Sequence, residues 1–169
     1  MTHSQSPKSL ATSNIALREI GWDNLHAVLA LDVEPAQQQF VASNAVSLAE
    51  AHFNPGAWFR AIYAGDALVG FVMLFDITIP GAIASDPVES TDMVLWRLMI
   101  DRRYQRQRLG RRTLDTVREH IVGLGRFRRL LTSYVPGPGG PKHFYLAYGF
   151  VETGRLWDDG TEVEIALDL

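Results

Sequence analysis

The fold of this 169-residue chain is decided by one stretch, Leu95 to Arg112, which reads LWRLMIDRRYQRQRLGRR. Its first residues complete Met93–Ile100, a nearly continuous apolar run that is typical of a strand covered on both faces. An arginine-rich turn then leads into a helix whose apolar positions Leu114, Val117 and Ile121 share one face. The stretch therefore predicts a buried strand, a charged turn and an amphipathic helix in immediate succession.

Outward from this unit, hydrophobic periodicity predicts strands and helices in mixed order. The other predicted strands are Ile15–Ile20, Trp58–Ala64, Ala67–Phe75, Arg129–Val135, Phe150–Gly154 and Val163–Leu169, and further helices begin near Asp23, Ser47 and Lys142. Gly65-Asp66 is typical of a hairpin turn, and Ser47 with Glu50 fits a capping box. We expect a single α/β domain of the α+β type at residues 15–169, preceded by a flexible N-terminal tail at residues 1–14.

The net charge of −3 conceals an uneven distribution of charge along the chain. Eleven arginines and three acidic residues lie between Arg97 and Arg129, whereas the remainder holds five basic and sixteen acidic residues. Positive charge beside a helix start favours a bound anion, because the first amides of a helix lack intrahelical acceptors. On charge alone, a solvated turn decorated with arginines explains the pattern equally well.

Several classes of function are excluded or disfavoured by composition. The chain has no cysteine, so disulfide frameworks and thiolate chemistry are excluded. Neither the G-x-x-x-x-G-K-[ST] nor the G-x-G-x-x-G motif occurs, and the histidines show no metal-site spacing, so we expect no metal. No apolar run is long enough to span a bilayer, and no signal peptide is apparent, which makes a cytoplasmic location the default expectation.

Two motifs give the charged turn a more specific interpretation. Gln105 and Gly110 match the first and last positions of [QR]-x-x-G-x-[GA], although Arg108 replaces the usual first glycine. Residues 143–150, HFYLAYGF, contain the pattern F-Y-x-x-x-G-F. In this order the motifs resemble the acyl-CoA-binding segments of GNAT-type N-acetyltransferases. That resemblance implies a mixed, mostly antiparallel twisted sheet with a central splayed pair of parallel strands, flanked by helices.

A narrower similarity points to the diamine, spermidine and spermine acetyltransferases. It is carried by residues 39–51, 95–101 and 144–154. It implies direct transfer of an acetyl group from acetyl-CoA to a primary amine, most specifically a small polyamine, in a ternary complex. The first of these segments is also compatible with an ordinary packed element under the sheet.

The resemblance also implies roles for individual residues. Tyr145 would protonate the departing CoA thiolate, although a packed aromatic beside Phe144 is the plainer alternative. Backbone groups of Leu98 and Ile100 would pair with pantetheine. The residues expected to hold the rest of the cofactor are Gln105, Arg106, Gln107, Arg108, Leu109, Gly110 and Arg111. At a positive φ a non-glycine residue is disfavoured, so Arg108 either accompanies a reshaped loop or contacts phosphate itself.

Acidic side chains near the matching segments are candidates for binding a cationic acceptor. Glu34 and Asp76 are the preferred candidates, followed by Asp32 and Glu50, and each is individually explained as a solvated surface acid. No glutamate lies on Met93–Ile100, so no general base is assigned. Asp92, a water chain and an amine that arrives neutral remain the alternatives.

The competing hypothesis is a non-catalytic CoA-binding or nucleic-acid-binding module. The clustered arginines support it, since Lys and Arg neutralise phosphate backbones. Aromatic residues are not interleaved with those arginines, however, and the rest of the chain is acidic. We therefore expect a small-molecule amine as partner, with neither nucleic acid nor membrane, and the resemblance implies a homodimer.

Overall fold

The protein is described by a computed structural model that covers residues 10–169, so most of the predicted N-terminal tail lies outside the described residues. Its strands are β1 Ile15–Arg18, β2 Ala57–Ala64, β3 Ala67–Phe75, β4 Asp92–Ile100, β5 Arg129–Tyr134, β6 Val151–Trp157 and β7 Glu162–Asp168. Its α-helices are α1 Leu25–Leu29, α2 Asn44–Phe53, α3 Leu109–Gly123 and α4 Lys142–Tyr148, joined by short 3₁₀ helices at Pro35–Phe40, Arg102–Tyr104 and Asp158–Gly160. The mixed order of elements is as predicted.

These strands form one mostly antiparallel sheet in the order β1-β2-β3-β4-β5-β7-β6. The predicted hairpin joins β2 to β3, and Gly65 in its turn has a φ of +60°, a conformation that glycine adopts without steric cost. Within the described residues, β4 and β5 form the only parallel pair. The fold class expected from the sequence is therefore confirmed.

The parallel pair is registered over only three residues of each strand. Asp92 lies opposite Arg129 and Val94 lies opposite Leu131, after which β4 runs on to Ile100 without a registered partner on β5. At the last point of contact, the Thr132 hydroxyl donates a hydrogen bond to the Leu95 carbonyl at 2.8 Å. Beyond it the two strands diverge, and one main-chain edge of β4 is free to pair with something else.

The two faces of the sheet are covered by different helices. On one face, α3 buries Leu114, Val117 and Ile121, the same residues that the helical periodicity predicts to be buried. On the other face, α1 and α2 cover Phe71 and Met99 of the central strands. Burial on both faces explains why β4 is nearly continuously apolar.

The predicted capping box of α2 is wrong. The helix begins earlier, at Asn44, because the Ser43 side chain accepts a hydrogen bond from the Val46 amide and Ser47 donates to the Ser43 carbonyl. Glu50 instead forms an ion pair with Arg97 of β4, at 3.1 Å. The Glu50 carboxylate therefore binds Arg97 from a distant part of the chain and does not cap the helix.

Candidate active site

The divergence of β4 and β5 opens a cleft of about 1190 Å³. It is lined by both diverging strands, by the turn and first residues of α3, by α4, by the 3₁₀ helix Pro35–Phe40 and by the loop before β4. The cleft thus has a strand edge at its centre and reaches both faces of the sheet. Such a site can hold an extended molecule between the strands and admit a second molecule from the opposite side.

The charged turn and the start of α3 form one end of this cleft. Arg106 and Arg108 both have left-handed backbone conformations, with φ values of 62° and 60°. Arg108 therefore adopts the conformation that a glycine would favour and immediately precedes the first residue of α3. The amides of Leu109, Gly110 and Arg111 lie in the first helical turn, where no intrahelical carbonyl is in reach.

The side chains of this turn divide into two groups. Arg106, Arg108 and Arg111 line the cleft, which gives this end a concentration of positive charge. Gln107 does not line it, because its side-chain oxygen accepts a hydrogen bond from the Leu10 amide at 2.9 Å. Of the residues expected to surround a cofactor, Gln107 can therefore contribute only its main chain.

Close packing joins the start of α3 to α4. A Cβ atom on Gly110 would lie 3.2 Å from the Phe144 ring, so glycine permits this approach between the helices. Gly110 and Phe144 are the residues singled out by the two sequence motifs, and the fold brings those motifs together. Tyr145, next along α4, also lines the cleft.

Tyr145 is almost completely buried, with an exposed fraction of 7%. Its ring makes edge contacts with Phe144 and Phe150, at centroid distances of 5.1 and 5.4 Å. Burial raises the pKa of the Tyr145 phenol to about 12, although a hydrogen bond with Thr132 acts in the opposite direction. The phenol is therefore protonated at neutral pH and is held beside the point where β4 and β5 part.

The end of the cleft opposite the charged turn has a different chemical character. Its acidic side chains are Glu50, Asp86, Asp158 and Glu162, and its aromatic side chains include Phe75, Trp96 and Trp157. Arg97 is the basic side chain that β4 adds among them, and it is paired with Glu50. Local sequence carries no signal for Asp86, Asp158 or Glu162, because distant loops and strands bring them together.

The two acidic residues preferred from the sequence do not line this cleft. Asp76 is buried, pairs with Arg126, and accepts hydrogen bonds from the amide and hydroxyl of Thr78 at 2.9 and 2.7 Å. Glu34 is exposed and caps the 3₁₀ helix Pro35–Phe40 through a reciprocal capping box with Gln37. The structure thus gives each of these carboxylates a partner within the protein. Of the four acidic candidates, Glu50 is the one that lines the cleft.

Comparison with known proteins addresses the identity of this fold. The model of the acetyltransferase (GNAT) family matches residues 18–150, which is most of the chain and includes both motifs. The chain belongs to the GNAT acetyltransferase family. As a member of this family it is an acetyl-CoA-dependent acetyltransferase, and the resemblance inferred from the two motifs is confirmed.

Individual relatives cover nearly the whole domain. The chain is 27% identical to a spermine/spermidine N(1)-acetyltransferase of Bacillus subtilis (strain 168) over 158 residues, which are 90% of this chain and 97% of that protein. Among solved structures, an acetyltransferase from Thermus thermophilus has a TM-score of 0.67 at 20% identity, covering 92% of this chain and 97% of that one. The aminoglycoside acetyltransferase AAC(6')-Ib in complex with coenzyme A has a TM-score of 0.73 at 10% identity, covering 92% and 95%.

The cleft of this GNAT acetyltransferase suits acetyl-CoA in chemical terms. It offers a free strand edge for an amide-containing arm, and unpaired helix amides with arginines for phosphate. Within residues 10–169, no group of three or more His, Asp or Glu side chains is arranged to hold a metal ion. Among the helices described, none combines the length and apolar character needed to cross a bilayer.

Proposed function

We propose that this GNAT acetyltransferase transfers the acetyl group of acetyl-CoA to a primary amine of a small polyamine, in a ternary complex. The observation that carries the proposal is that acidic and aromatic side chains line the same cleft between the splayed strands as the arginine-rich turn. The similarity to a spermine/spermidine N(1)-acetyltransferase supports the same acceptor class.

Acetyl-CoA would occupy the cleft along β4. Backbone groups of Leu98 and Ile100, on the edge that β5 leaves free, would pair with the amides of pantetheine. The pyrophosphate would be bound by the main-chain amides of Arg106, Gln107, Arg108, Leu109, Gly110 and Arg111. The start of α3 and three cleft-lining arginines favour an anion there, both through hydrogen bonds and through charge.

A polyamine would occupy the acidic end. Carboxylates of Glu50, Asp86, Asp158 and Glu162 line it, and one of them is already compensated by Arg97. The aromatic faces of Trp96 and Trp157 add favourable interactions with ammonium groups. This arrangement replaces Glu34 and Asp76, which the sequence favoured, as the acceptor-binding carboxylates of the proposal.

The reaction follows from this placement. A neutral amine nitrogen attacks the thioester carbon, the C–S bond breaks, and the amine loses its second proton to solvent. The Tyr145 phenol donates its proton to the departing sulfur and is reprotonated from solvent, so the products are an acetamide and the CoA thiol. Holding amine and thioester in one cleft removes much of the entropic barrier between them.

Arg108 offers a test of the proposed phosphate site. We expect both Arg108→Gly and Arg108→Asn to weaken CoA binding by about tenfold, because each removes a charged donor from the cleft. Arg108→Gly relieves the left-handed strain, so its free energy of unfolding is expected to stay unchanged or rise by up to about 1 kcal/mol. Calorimetric titration with CoA and thermal denaturation measure the two effects separately, and unchanged CoA affinity in both variants would remove Arg108 from the site.

The acceptor class is tested by measuring CoA release from acetyl-CoA with a panel of amines. We expect spermine, spermidine and diamines to give the highest kcat/KM, ahead of amino acids, aminoglycosides and peptide N-termini. Glu162→Gln is expected to raise the KM for a polyamine by about fivefold, because a carboxylate is lost from the acidic end. Glu119→Gln on the surface of α3 is the matched control, and we expect it to leave KM unchanged.

Two outcomes of that panel would contradict the proposal. Preference for an acceptor without a second cationic group would refute the polyamine assignment while leaving acetyl transfer intact. Absence of CoA release with every amine, together with tight CoA binding or salt-sensitive retention on nucleic acid, would instead favour the non-catalytic module.

Two expectations from the sequence accompany this proposal. A homodimer follows from the family resemblance, and size-exclusion chromatography with light scattering measures it. The acidic character of the chain outside the arginine cluster argues against nucleic acid as a partner.

A further inference from the structure

The side-chain amide of Gln105 links two segments that line the cleft, the arginine-rich turn after β4 and the 3₁₀ helix Pro35–Phe40. Its Nε2 donates to the Gln37 side-chain oxygen at 2.8 Å and to the Ile100 carbonyl at 2.9 Å. Gln105 directly precedes the left-handed Arg106 at the cofactor end, whereas Gln37 belongs to the 3₁₀ helix Pro35–Phe40 on the wall of the cleft. One amide group thus connects the phosphate-binding turn to a wall built from a different part of the chain.

The direction of these hydrogen bonds is fixed by their surroundings. The Ile100 carbonyl can only accept, so Gln105 must present its NH₂ group to it. The Gln37 oxygen also accepts a bond from the Glu34 amide at 3.1 Å, so its oxygen must point to this junction. Both hydrogens of Gln105 are therefore used within the protein, and this side chain has no donor left for a cofactor phosphate.

Further bonds hold the same two segments together. The Arg102 amide donates to the Asp32 carbonyl at 2.9 Å, and the Asp32 amide donates to the buried Asp101 carboxylate at 3.1 Å. Arg103 neutralises Asp101 and holds the pKa of that carboxyl below its usual range, against the opposing effect of burial. These bonds fix the base of the wall, whereas the bond between Gln105 and Gln37 is the contact nearest the cleft, which both side chains line.

We propose that Gln105 is a positioning residue that couples acetyl-CoA binding to the ordering of the wall formed by residues 35–40. Anion binding at the amides that follow Gln105 restrains the turn, and the restrained Gln105 amide then restrains Gln37. Because coupling between two sites is reciprocal, a change on the wall alters CoA affinity, and a change at Gln105 alters the affinity for the amine. The amine half of this statement rests on the proposed function, whereas the CoA half does not.

Variants of Gln37 provide the decisive comparison. Gln37→Leu removes the acceptor, whereas Gln37→Glu keeps an oxygen that can accept from both Gln105 and the Glu34 amide. We expect Gln37→Leu and Gln105→Leu each to raise the Kd for CoA, measured without amine, by about fivefold, and Gln37→Glu to retain nearly the wild-type value. Because both leucine variants break the bond between Gln105 and Gln37, we expect the rise in Kd of the double variant to be clearly smaller than the product of the two single rises.

Amide hydrogen exchange tests the same coupling structurally. Addition of CoA is expected to slow exchange at residues 35–40 in the wild type and in Gln37→Glu, but not in Gln105→Leu. At saturating acetyl-CoA, Gln105→Leu is expected to raise the KM for a polyamine by about fivefold, with little change in kcat. A purely structural role would lower the Tm of the leucine variants without producing this division between KM and kcat.

The outcomes separate this inference from the proposed function. Additive effects of the two leucine variants on the Kd for CoA, or protection of residues 35–40 that survives Gln105→Leu, would overturn the coupling. If no amine is acetylated, the proposed function fails. The CoA titrations and the exchange measurements would still decide whether Gln105 couples the turn to the wall.

Discussion

Replacement of Tyr145 by Phe is expected to lower kcat by about 10²- to 10⁴-fold, the range typical of a lost general acid. The KM for acetyl-CoA is expected to stay within about threefold, because the phenyl ring preserves the contacts with Phe144 and Phe150. Only the hydroxyl is removed, and it lies in a buried position beside the parting strands. Steady-state rates of CoA release measure both constants.

The high pKa of Tyr145 is compatible with this role. A phenol with a pKa of about 12 is a weak acid towards a solvated thiolate. A thiolate that forms in the same desolvated cleft is itself destabilised, which raises its proton affinity in the same direction. Because both proton affinities rise together, the high pKa of Tyr145 does not by itself make the phenol a poorer donor to this sulfur.

The same shift predicts the pH dependence of turnover. The protonated phenol is the active form, and raising its pKa from 10.0 to about 12 extends that form to higher pH. We therefore expect kcat not to decline between about pH 8 and about pH 10 through loss of the Tyr145 proton. A loss of activity with a midpoint near pH 10 that disappears in Tyr145→Phe would contradict the buried, protonated phenol.

Tyr148→Phe is the matched control for this experiment. Tyr148 lies on the same helix, but its hydroxyl donates to the Asp115 carboxylate at 2.9 Å. The variant loses an exposed hydrogen bond outside the proposed chemistry, so we expect kcat within about threefold of the wild type. Equal losses in the two variants would indicate damage to α4 and would remove Tyr145 as the specific proton donor.

Replacement of Arg129 by Met is expected to lower the free energy of unfolding by about 2–4 kcal/mol and the Tm by about 5–10 °C. Arg129 forms two hydrogen bonds, of 2.9 and 2.7 Å, with Asp92, a fully buried carboxylate at the registered end of β4 and β5. Without its partner, that carboxylate is a buried, uncompensated charge. Because the Arg129 side chain is partly exposed, we expect a smaller loss of unfolding free energy than is usual when a fully buried ion pair is broken.

The double variant Asp92→Leu/Arg129→Met isolates the cause of this loss. Since it removes both charges, we expect it to regain at least half of the stability that Arg129→Met loses. Chemical denaturation measures the three free energies. A double variant that is less stable than Arg129→Met would contradict this explanation. The loss of stability would then come from the lost packing and hydrogen bonds of the two side chains, and not from an unpaired buried charge.

The sequence predicted the sheet well because its strands carry strong local signals. Ala67–Phe75 and Met93–Ile100 are largely apolar because both faces of the sheet are covered, and Gly65-Asp66 marks the hairpin between β2 and β3. The arginine-rich lining of the cleft was equally accessible to sequence reasoning. The charged turn and the start of α3 are contiguous in the chain, and a recognisable motif adds α4.

The acidic lining of the cleft was only partly predicted from the sequence, because its residues meet through long-range contacts. Glu50 fitted a helix cap locally, but Arg97 of β4 binds it in the folded chain. Asp76 had no visible partner in the sequence, yet Arg126, fifty residues away, pairs with it. The signals available on β5 were Thr132 and Ser133, polar residues that follow Leu130 and Leu131, and their hydroxyls bond the Leu95 carbonyl and the Glu162 carboxylate.

The most direct test of the central claim is a crystal structure of the protein with CoA bound. We expect pantetheine to lie along β4 between Leu95 and Ile100, where β5 has diverged, with the pyrophosphate on the amides of residues 106–111. The CoA sulfur is expected within hydrogen-bonding distance of the Tyr145 hydroxyl. CoA bound elsewhere, or a sulfur that Tyr145 cannot reach, would contradict the assignment of this cleft as the site of acetyl transfer.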